Sequence, residues 1–129
     1  MIRPTLIVGL GGSGTWVVRR LKRRIEGRLS AGDAAITPAL QLLAFDTDRQ
    51  KESPTLGELE KSEFCLMDNF NGDEVVSREN LENFPAIREF WKYRTLSPGF
   101  VQDGAQQRPP VGRLALFLHF DRSMGYIRS

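Results

Sequence analysis

A glycine-rich turn near the N-terminus has the composition and spacing of a phosphate-binding loop. Residues 9–14 read GLGGSG and satisfy the pattern G-x-G-x-x-G. Glycine lacks a Cβ atom and accepts positive φ, so the backbone here could approach a pyrophosphate closely. A helix that begins at this turn would add free N–H groups and the positive end of its dipole. The candidate contacts are Gly9, Gly11, Gly12, Ser13 and Gly14.

The same turn admits one other interpretation and argues against a third. The glycines could serve only to pack a helix against a strand, without any ligand. A Walker A loop is disfavoured, because Gly14 is followed by Thr15-Trp16 and not by Lys-Ser or Lys-Thr.

Two aspartates lie where a second apolar segment ends. The run LLAFD closes with Asp46 and continues into Thr47 and Asp48, so these residues form the tip of a predicted strand. In an open α/β sheet this tip faces the ligand crevice. A carboxylate there could accept a hydrogen bond from a ribose hydroxyl or hold Mg²⁺ through water. It could equally be a turn or cap aspartate without a ligand.

A second glycine-containing loop precedes the last apolar segment of the chain. Residues 104–113 read GAQQRPPVGR. The backbone N–H groups of this loop and the guanidinium of Arg108 could bind a terminal phosphate, although the segment could also be an ordinary connector. The candidate contacts are Gly104, Ala105, Gln106, Gln107 and Arg108.

A parallel sheet would bring these segments together. Thr5–Leu10 is a short apolar run typical of a central strand buried on both faces, and Leu40–Asp46 is a second such run. Between them, Ser13–Leu29 is predicted to be a helix because apolar residues recur at three- and four-residue spacing. Strand, helix and strand predict a right-handed βαβ unit, and hence an α/β fold with a Rossmann-like parallel sheet and flanking helices. The apolar stripe of the helix consists of Val17, Val18, Leu21, Ile25 and Leu29.

The rest of the chain is predicted to alternate between loops and short elements. The predicted loops are Asp48–Glu60, which could contain one helical turn, Asp68–Asn80 and Ser97–Pro110. The predicted elements are a strand over Glu63–Met67, a short helix over Pro85–Tyr93 and a helix over Val111–Phe120. The last segment also fits a strand, but Pro110 suits the first turn of a helix. Because the chain ends within this alternation, we expect residues 1–129 to be the N-terminal part of a longer nucleotide-binding domain.

Charge and composition disfavour several classes of function. The chain has 129 residues and a net charge of +2, which does not indicate a nucleic-acid-binding protein. Its basic cluster, from Arg19 to Arg28, is predicted to form a solvated helix face. Cys65 is predicted to be a buried small hydrophobic residue, and His119 has no partner at metal-ligand spacing, so no zinc site is predicted. No segment resembles a signal peptide or a membrane span, so we expect a cytoplasmic protein.

Together, the three loop segments resemble those of the tubulin/FtsZ superfamily. GLGGSGTWVV resembles the first nucleotide loop of FtsZ, LLAFDTD is similar to its second strand and loop, and GAQQRPPVGR resembles its third loop. The order of the segments agrees as well. The starting run PTLIVGLGGSG and the later run RPPVGRLALF are most similar to bacterial tubulin-like domain proteins. The chain therefore resembles the N-terminal part of a tubulin-like GTPase domain.

The resemblance implies a domain that binds GTP or GDP, with Mg²⁺, and that self-associates in a full-length protein. By position, the α- and β-phosphates would contact Gly11, Gly12 and Ser13, and Asp46 and Asp48 would lie near Mg²⁺ or phosphate. The γ-phosphate would face Ala105, Gln106 and Gln107. The loops that complete the guanine and hydrolysis sites of the family would follow Ser129. We therefore expect this chain alone not to hydrolyse GTP.

Two alternative functions account for part of the sequence. An NAD(P)- or FAD-binding Rossmann domain explains the glycine turn and Asp46, but not residues 104–113. The interval from Gly14 to Asp46 also exceeds the roughly twenty residues that are typical of that fold. The other alternative is a non-enzymatic, truncated relative of a tubulin-like protein.

Overall fold

A parallel β-sheet organises the chain. A computed structural model describes residues 3–30, 32, 39–92, 96–102, 104–105 and 108–128. Its first three elements are β1 (Thr5–Leu10), α1 (Gly11–Ser30) and β2 (Leu40–Asp46). The two strands are parallel and pair from Thr5 with Leu40 to Leu10 with Phe45. Because they are parallel, both strands end at the same edge of the sheet, where the segments that follow them can meet.

The remaining elements extend this βαβ unit. Strand β3 (Phe64–Leu66) pairs in parallel with β2, which gives the order β1-β2-β3, and β4 and β5 form a separate antiparallel pair. The predicted α/β fold with a Rossmann-like parallel sheet and flanking helices is therefore confirmed. The other elements are β4 (Phe70–Asn71), α2 (Gly72–Val75), α3 (Arg78–Asn83), α4 (Pro85–Phe90), β5 (Phe100–Val101), α5 (Pro109–Leu118) and α6 (Phe120–Arg128).

Three apolar clusters hold the layers of the fold together. On one face of the sheet, α1 packs through a cluster of Val18, Leu42, Ala44 and Leu59. On the opposite face, α5 packs through a cluster of Leu43, Phe45, Cys65, Met67 and Ala115. On the far side of α5, the short elements contribute to a cluster of Ile87, Trp91, Val101, Val111 and Leu114. Cys65 is fully buried, as predicted.

The prediction that β1 is buried on both faces is wrong. Within the described residues, β1 lies at the edge of the sheet, and Leu6, Val8 and Leu10 are 43%, 42% and 64% exposed. Side chains alternate along a strand, so these three residues point away from α1. The cluster formed with α5 contains residues of β2 and β3 but none of β1, which leaves this face of β1 uncovered. The central, buried strand is β2.

Helix α1 differs from its prediction at its start and on its surface. It begins at Gly11 and not at Ser13, because Gly11 has a φ of 70° and turns the chain from strand to helix at a single residue. Val17, predicted to lie in the apolar stripe, is 54% exposed, whereas Thr15 faces the sheet and is buried.

Arg19 does not lie on the solvated face that was predicted for it. It is 6% exposed. Its Nε and Nη2 donate to the carbonyl oxygens of Gly57 and Lys51, at 2.8 and 2.7 Å. The amide of Gly57 donates in return to the carbonyl oxygen of Arg19, at 3.0 Å. Arg19 thus fastens the segment after β2 to the side of α1.

The prediction of a loop over Asp68–Asn80 is wrong, since β4, α2 and the start of α3 lie there. The polar residues that suggested a loop are helix caps: the side chain of Asn71 accepts from the Glu74 amide, and that of Ser77 accepts from the Asn80 amide. The loop predicted over Ser97–Pro110 is likewise interrupted by β5 and ends where α5 begins, at Pro109.

The predictions for the other short segments are confirmed in type, although some of their bounds differ. Asp48–Glu60 forms neither helix nor strand, and the predicted third strand corresponds to β3. The helix predicted over Pro85–Tyr93 is α4, although Tyr93 itself lies outside the described residues. The ambiguous segment Val111–Phe120 is helical up to Leu118, where α5 ends, and Phe120 begins α6; α5 has prolines in its first turn. No helix in the described part of the chain is long and apolar enough to span a membrane.

The closest approach of α1 to the sheet is at two glycines. A Cβ atom on Gly9 would lie 2.4 Å from the carbonyl oxygen of Gly14, and one on Gly14 would lie 2.9 Å from the carbonyl carbon of Gly9. Both obstacles are backbone atoms, which cannot turn aside as a flexible side chain can. These two positions therefore require glycine for packing.

We expect Gly9→Ala to lower the free energy of unfolding by about 2 kcal/mol or more, because strand and helix must separate to admit the methyl group. Gly27→Ala, in the open part of the same helix, is the matched control and should raise stability by up to about 1 kcal/mol. Urea denaturation measures both changes. Equal stability of Gly9→Ala and the wild type would contradict the packing role.

We expect Arg19→Met to lower the free energy of unfolding by about 1–3 kcal/mol, because two carbonyl oxygens lose their donor. Arg24→Met, at an exposed position of the same helix, should stay within about 0.5 kcal/mol of the wild type. If both variants unfold at the same urea concentration, Arg19 does not fasten the segment to α1.

Candidate functional site

An open cavity of about 840 Å³ lies where β1 and β2 end and α5 begins. Each of the three segments selected from the sequence contributes to its lining, so the structure brings them together at one edge of the sheet. The predicted residues that line the cavity are Gly11, Gly12, Asp46, Thr47, Asp48, Gly104, Ala105 and Arg108. Gln106 and Gln107 lie outside the described residues.

The glycine turn divides into packing positions and cavity positions. Gly9 and Gly14 hold the strand against the helix and are not part of the cavity lining. Gly11 and Gly12 line the cavity, and a Cβ atom at either position would meet nothing within 4 Å. The first N–H groups of a helix have no acceptor inside the helix, so this end of α1 can offer donors to an anion. Ser13 is exposed and lies outside the lining.

Asp46 is buried at the end of β2, and hydrogen bonds surround its carboxylate. Its Oδ2 accepts from Thr15 Oγ1 at 3.3 Å. Its Oδ1 accepts from the amides of Thr47 and Asp48 at 2.8 and 3.2 Å. Burial raises the pKa of Asp46 and outweighs the three hydrogen bonds, which lower it, while the nearby Asp48 carboxylate raises it further. The fold therefore disfavours the charged form of this side chain.

The loop that precedes α5 is fastened to the loop that follows β2. The amide of Gly104 donates to the carbonyl oxygen of Thr47 at 3.0 Å. Gly104 has a φ of 94°, which other residues rarely adopt, and a Cβ atom there would lie 3.4 Å from Cβ of Asp48. This contact joins the two loops at the wall of the cavity.

Two arginines line the cavity, and their surroundings differ. Arg108 donates from Nη1 and Nη2 to the carbonyl oxygens of Ser97 and Pro98, at 2.7 and 3.0 Å. Its guanidinium therefore binds the backbone of the segment that precedes β5. Arg113 is exposed, and its guanidinium carbon lies 4.6 Å from the ring centroid of Phe90. Arg113 lies in the third segment, GAQQRPPVGR, but was not among the predicted contacts. Its position one helical turn after Pro109, where α5 begins, was the signal in the sequence that could have identified it.

The N-terminus of α5 offers a dipole but few donors. Pro109 and Pro110 have no N–H group, and the amides of Val111 and Gly112 both donate to the carbonyl oxygen of Arg108, at 3.0 and 3.2 Å. Positive charge on this side therefore comes from the side chains of Arg108 and Arg113 and from the helix dipole.

Much of the remaining cavity wall is apolar and was not predicted. These side chains come from elements that are distant in sequence, which only the assembled sheet brings together. The further lining residues are Leu10, Phe45, Met67, Pro109, Gly112 and Leu116. Among the described residues, no group of three or more His, Cys, Asp or Glu side chains is arranged to hold a metal ion.

The raised pKa of Asp46 gives a testable dependence on pH. Because folding disfavours the carboxylate, ionisation of Asp46 lowers the free energy of unfolding as the pH rises from about 4 toward neutrality. We expect Asp46→Asn to raise the free energy of unfolding at pH 7, and this gain to shrink as the pH falls toward about 4. Urea denaturation over this pH range measures the difference. A gain of equal size at both ends of the range would show that ionisation is not its cause.

Comparison with known families agrees with this arrangement of loops. A family model described as "Tubulin like" matches residues 6–129, which include all three segments that line the cavity. No curated protein and no solved structure matches the chain. The family match extends over nearly the whole sequence, from β1 to the end of α6. The chain belongs to the tubulin-like family.

Proposed function

We propose that the cavity binds the phosphates of a guanine nucleotide, GTP or GDP, and that this binding supports tubulin-like self-association. The observation that carries the proposal is the meeting of three loops: Gly11 and Gly12 at the start of α1, Thr47 and Asp48 after β2, and Gly104 before α5. The choice of guanine comes from membership of the tubulin-like family. Hydrolysis by this chain alone is not part of the proposal.

The charges around the cavity favour an anion that binds together with a cation. The N-terminus of α1 and the positively charged residues Arg108 and Arg113 supply positive potential. Asp48 lines the same cavity, and a phosphate beside it is repelled unless a cation lies between them. Mg²⁺ prefers oxygen ligands, keeps several waters and pairs readily with phosphate. We therefore include Mg²⁺, bound near Asp48, in the proposed complex.

A dinucleotide such as NAD or FAD is supported less well. That function needs an acidic residue at the end of the second strand to accept from a ribose hydroxyl. Both carboxylate oxygens of Asp46, the residue at this position, already accept hydrogen bonds from the protein.

We expect GTP or GDP with Mg²⁺ to stabilise the protein against heating, and NAD not to do so. A ligand at a hundred times its dissociation constant adds about 2.7 kcal/mol of stability, which a melting experiment detects readily. Arg113→Ala should weaken GTP binding by about tenfold or more, through the loss of a charged donor to phosphate. Arg24→Ala, at an exposed site on α1 outside the cavity lining, is the matched control.

The opposite pattern would contradict the proposal. Stabilisation by NAD without any shift from GTP or GDP would favour a Rossmann-type dinucleotide site. Equal weakening by Arg113→Ala and Arg24→Ala would show that the nucleotide does not bind in this cavity.

A further inference from the structure

Asp46 connects three parts of the cavity wall. Through Oδ2 it accepts from Thr15, which lies one helical turn after Gly11. Through Oδ1 it accepts from the amides of Thr47 and Asp48 and so shapes the turn after β2. The carbonyl oxygen of Thr47 in turn accepts from the amide of Gly104. A continuous path of hydrogen bonds therefore runs from α1 through Asp46 to the loop before α5.

We propose that Asp46 is a positioning residue of the nucleotide site, which fixes the start of α1 and the turn at Thr47–Asp48 without itself binding phosphate or Mg²⁺. This inference rests on the proposed function. It differs from the role that the sequence implies, in which Asp46 and Asp48 both lie against the ligand.

Burial and hydrogen bonding support this division between the two aspartates. Asp46 is 8% exposed, and its bonding partners Thr15 and Thr47 are 6% and 5% exposed. Each of its carboxylate oxygens accepts at least one hydrogen bond from the protein. Asp48 is half-buried, and its Oδ1 accepts from the Arg49 amide at 2.9 Å. Asp48 is therefore the carboxylate better placed to meet a hydrated cation.

An asparagine at position 46 distinguishes a positioning role from direct binding of Mg²⁺ by the carboxylate. In Asp46→Asn, Oδ1 can still accept from the Thr47 and Asp48 amides, and Nδ2 can donate to Thr15 Oγ1. A positioning role needs these three hydrogen bonds but no charge. A direct role at Mg²⁺ needs the carboxylate, which the amide replaces poorly because it carries no charge.

The experiment measures the dissociation constant of a fluorescent GTP analogue over a range of Mg²⁺ concentrations. The wild type is compared with Asp46→Asn, Asp46→Ala, Thr15→Ser and Thr15→Val, and the matched control is Thr5→Val at the far end of β1. We expect Asp46→Asn and Thr15→Ser to bind within about threefold of the wild type, with the same dependence on Mg²⁺. Asp46→Ala and Thr15→Val should bind about five- to twentyfold more weakly, as expected when a buried hydrogen bond is removed. Thr5→Val should bind like the wild type.

Two results would overturn the inference while leaving the proposed function intact. Loss of Mg²⁺-dependent binding in Asp46→Asn would show that the carboxylate itself holds the cation. Binding by Thr15→Val as tight as that of the wild type would show that the bond to α1 has no bearing on the site. If Asp46→Ala does not fold, Asp46→Asn and the two Thr15 variants decide the question. A wild-type protein that binds no GTP analogue would overturn the proposed function and the inference together.

Discussion

The contact between Gly9 and Gly14 sets the position of everything around the cavity. With a Cβ atom on either residue, the backbone of α1 could not lie so close to the end of β1. Because α1 lies there, Thr15 comes within hydrogen-bond distance of Asp46, at the end of the neighbouring strand. The strand order then places the turn at Thr47 where the amide of Gly104 can reach it. This close backbone approach, the parallel pairing of β1 with β2 and the bond from Gly104 to Thr47 together bring three loops, which are distant in sequence, to a single edge of the sheet.

The same edge holds charges of both signs in close proximity. The dipole of α1 and Arg113 favour an anion, while Asp46 and Asp48 oppose it. The fold reduces this conflict by burying Asp46 among hydrogen-bond donors, with a raised pKa, and by leaving Asp48 nearer to solvent. The nucleotide and Mg²⁺ that we propose as ligands would match this combination of charges.

Patterns that are local in sequence predicted the fold well. Apolar runs and three- or four-residue spacing were enough for β1, α1 and β2, and the glycine pattern marked the turn between strand and helix correctly. Features that depend on distant contacts were missed. Arg19 looked like part of a solvated basic face, yet its partners are carbonyl oxygens in a segment that follows β2. The exposure of β1 depends on which strands and helices lie beside it, which its own apolar composition does not reveal.

The order of the three motifs predicted which segments meet at the site, but it did not predict the contacts of individual residues within them. The three segments do meet, but Gly9 and Gly14 serve packing, and Arg108 is bonded to the carbonyl oxygens of Ser97 and Pro98. Arg113 and the apolar wall were missed because a lining residue is defined by the assembled sheet. The different roles that we propose for Asp46 and Asp48 could likewise not be predicted from the sequence, since they depend on the hydrogen bond from the hydroxyl of Thr15.

Backbone amide resonances followed during titration with GTP and Mg²⁺ test most directly whether the three loops form one nucleotide site. We expect the amides of Gly12, Asp48 and Gly104 to shift together with one dissociation constant, while that of Gln41, at the opposite end of β2, does not move. Shifts confined to Gly12, or different dissociation constants for the three loops, would contradict a single shared site.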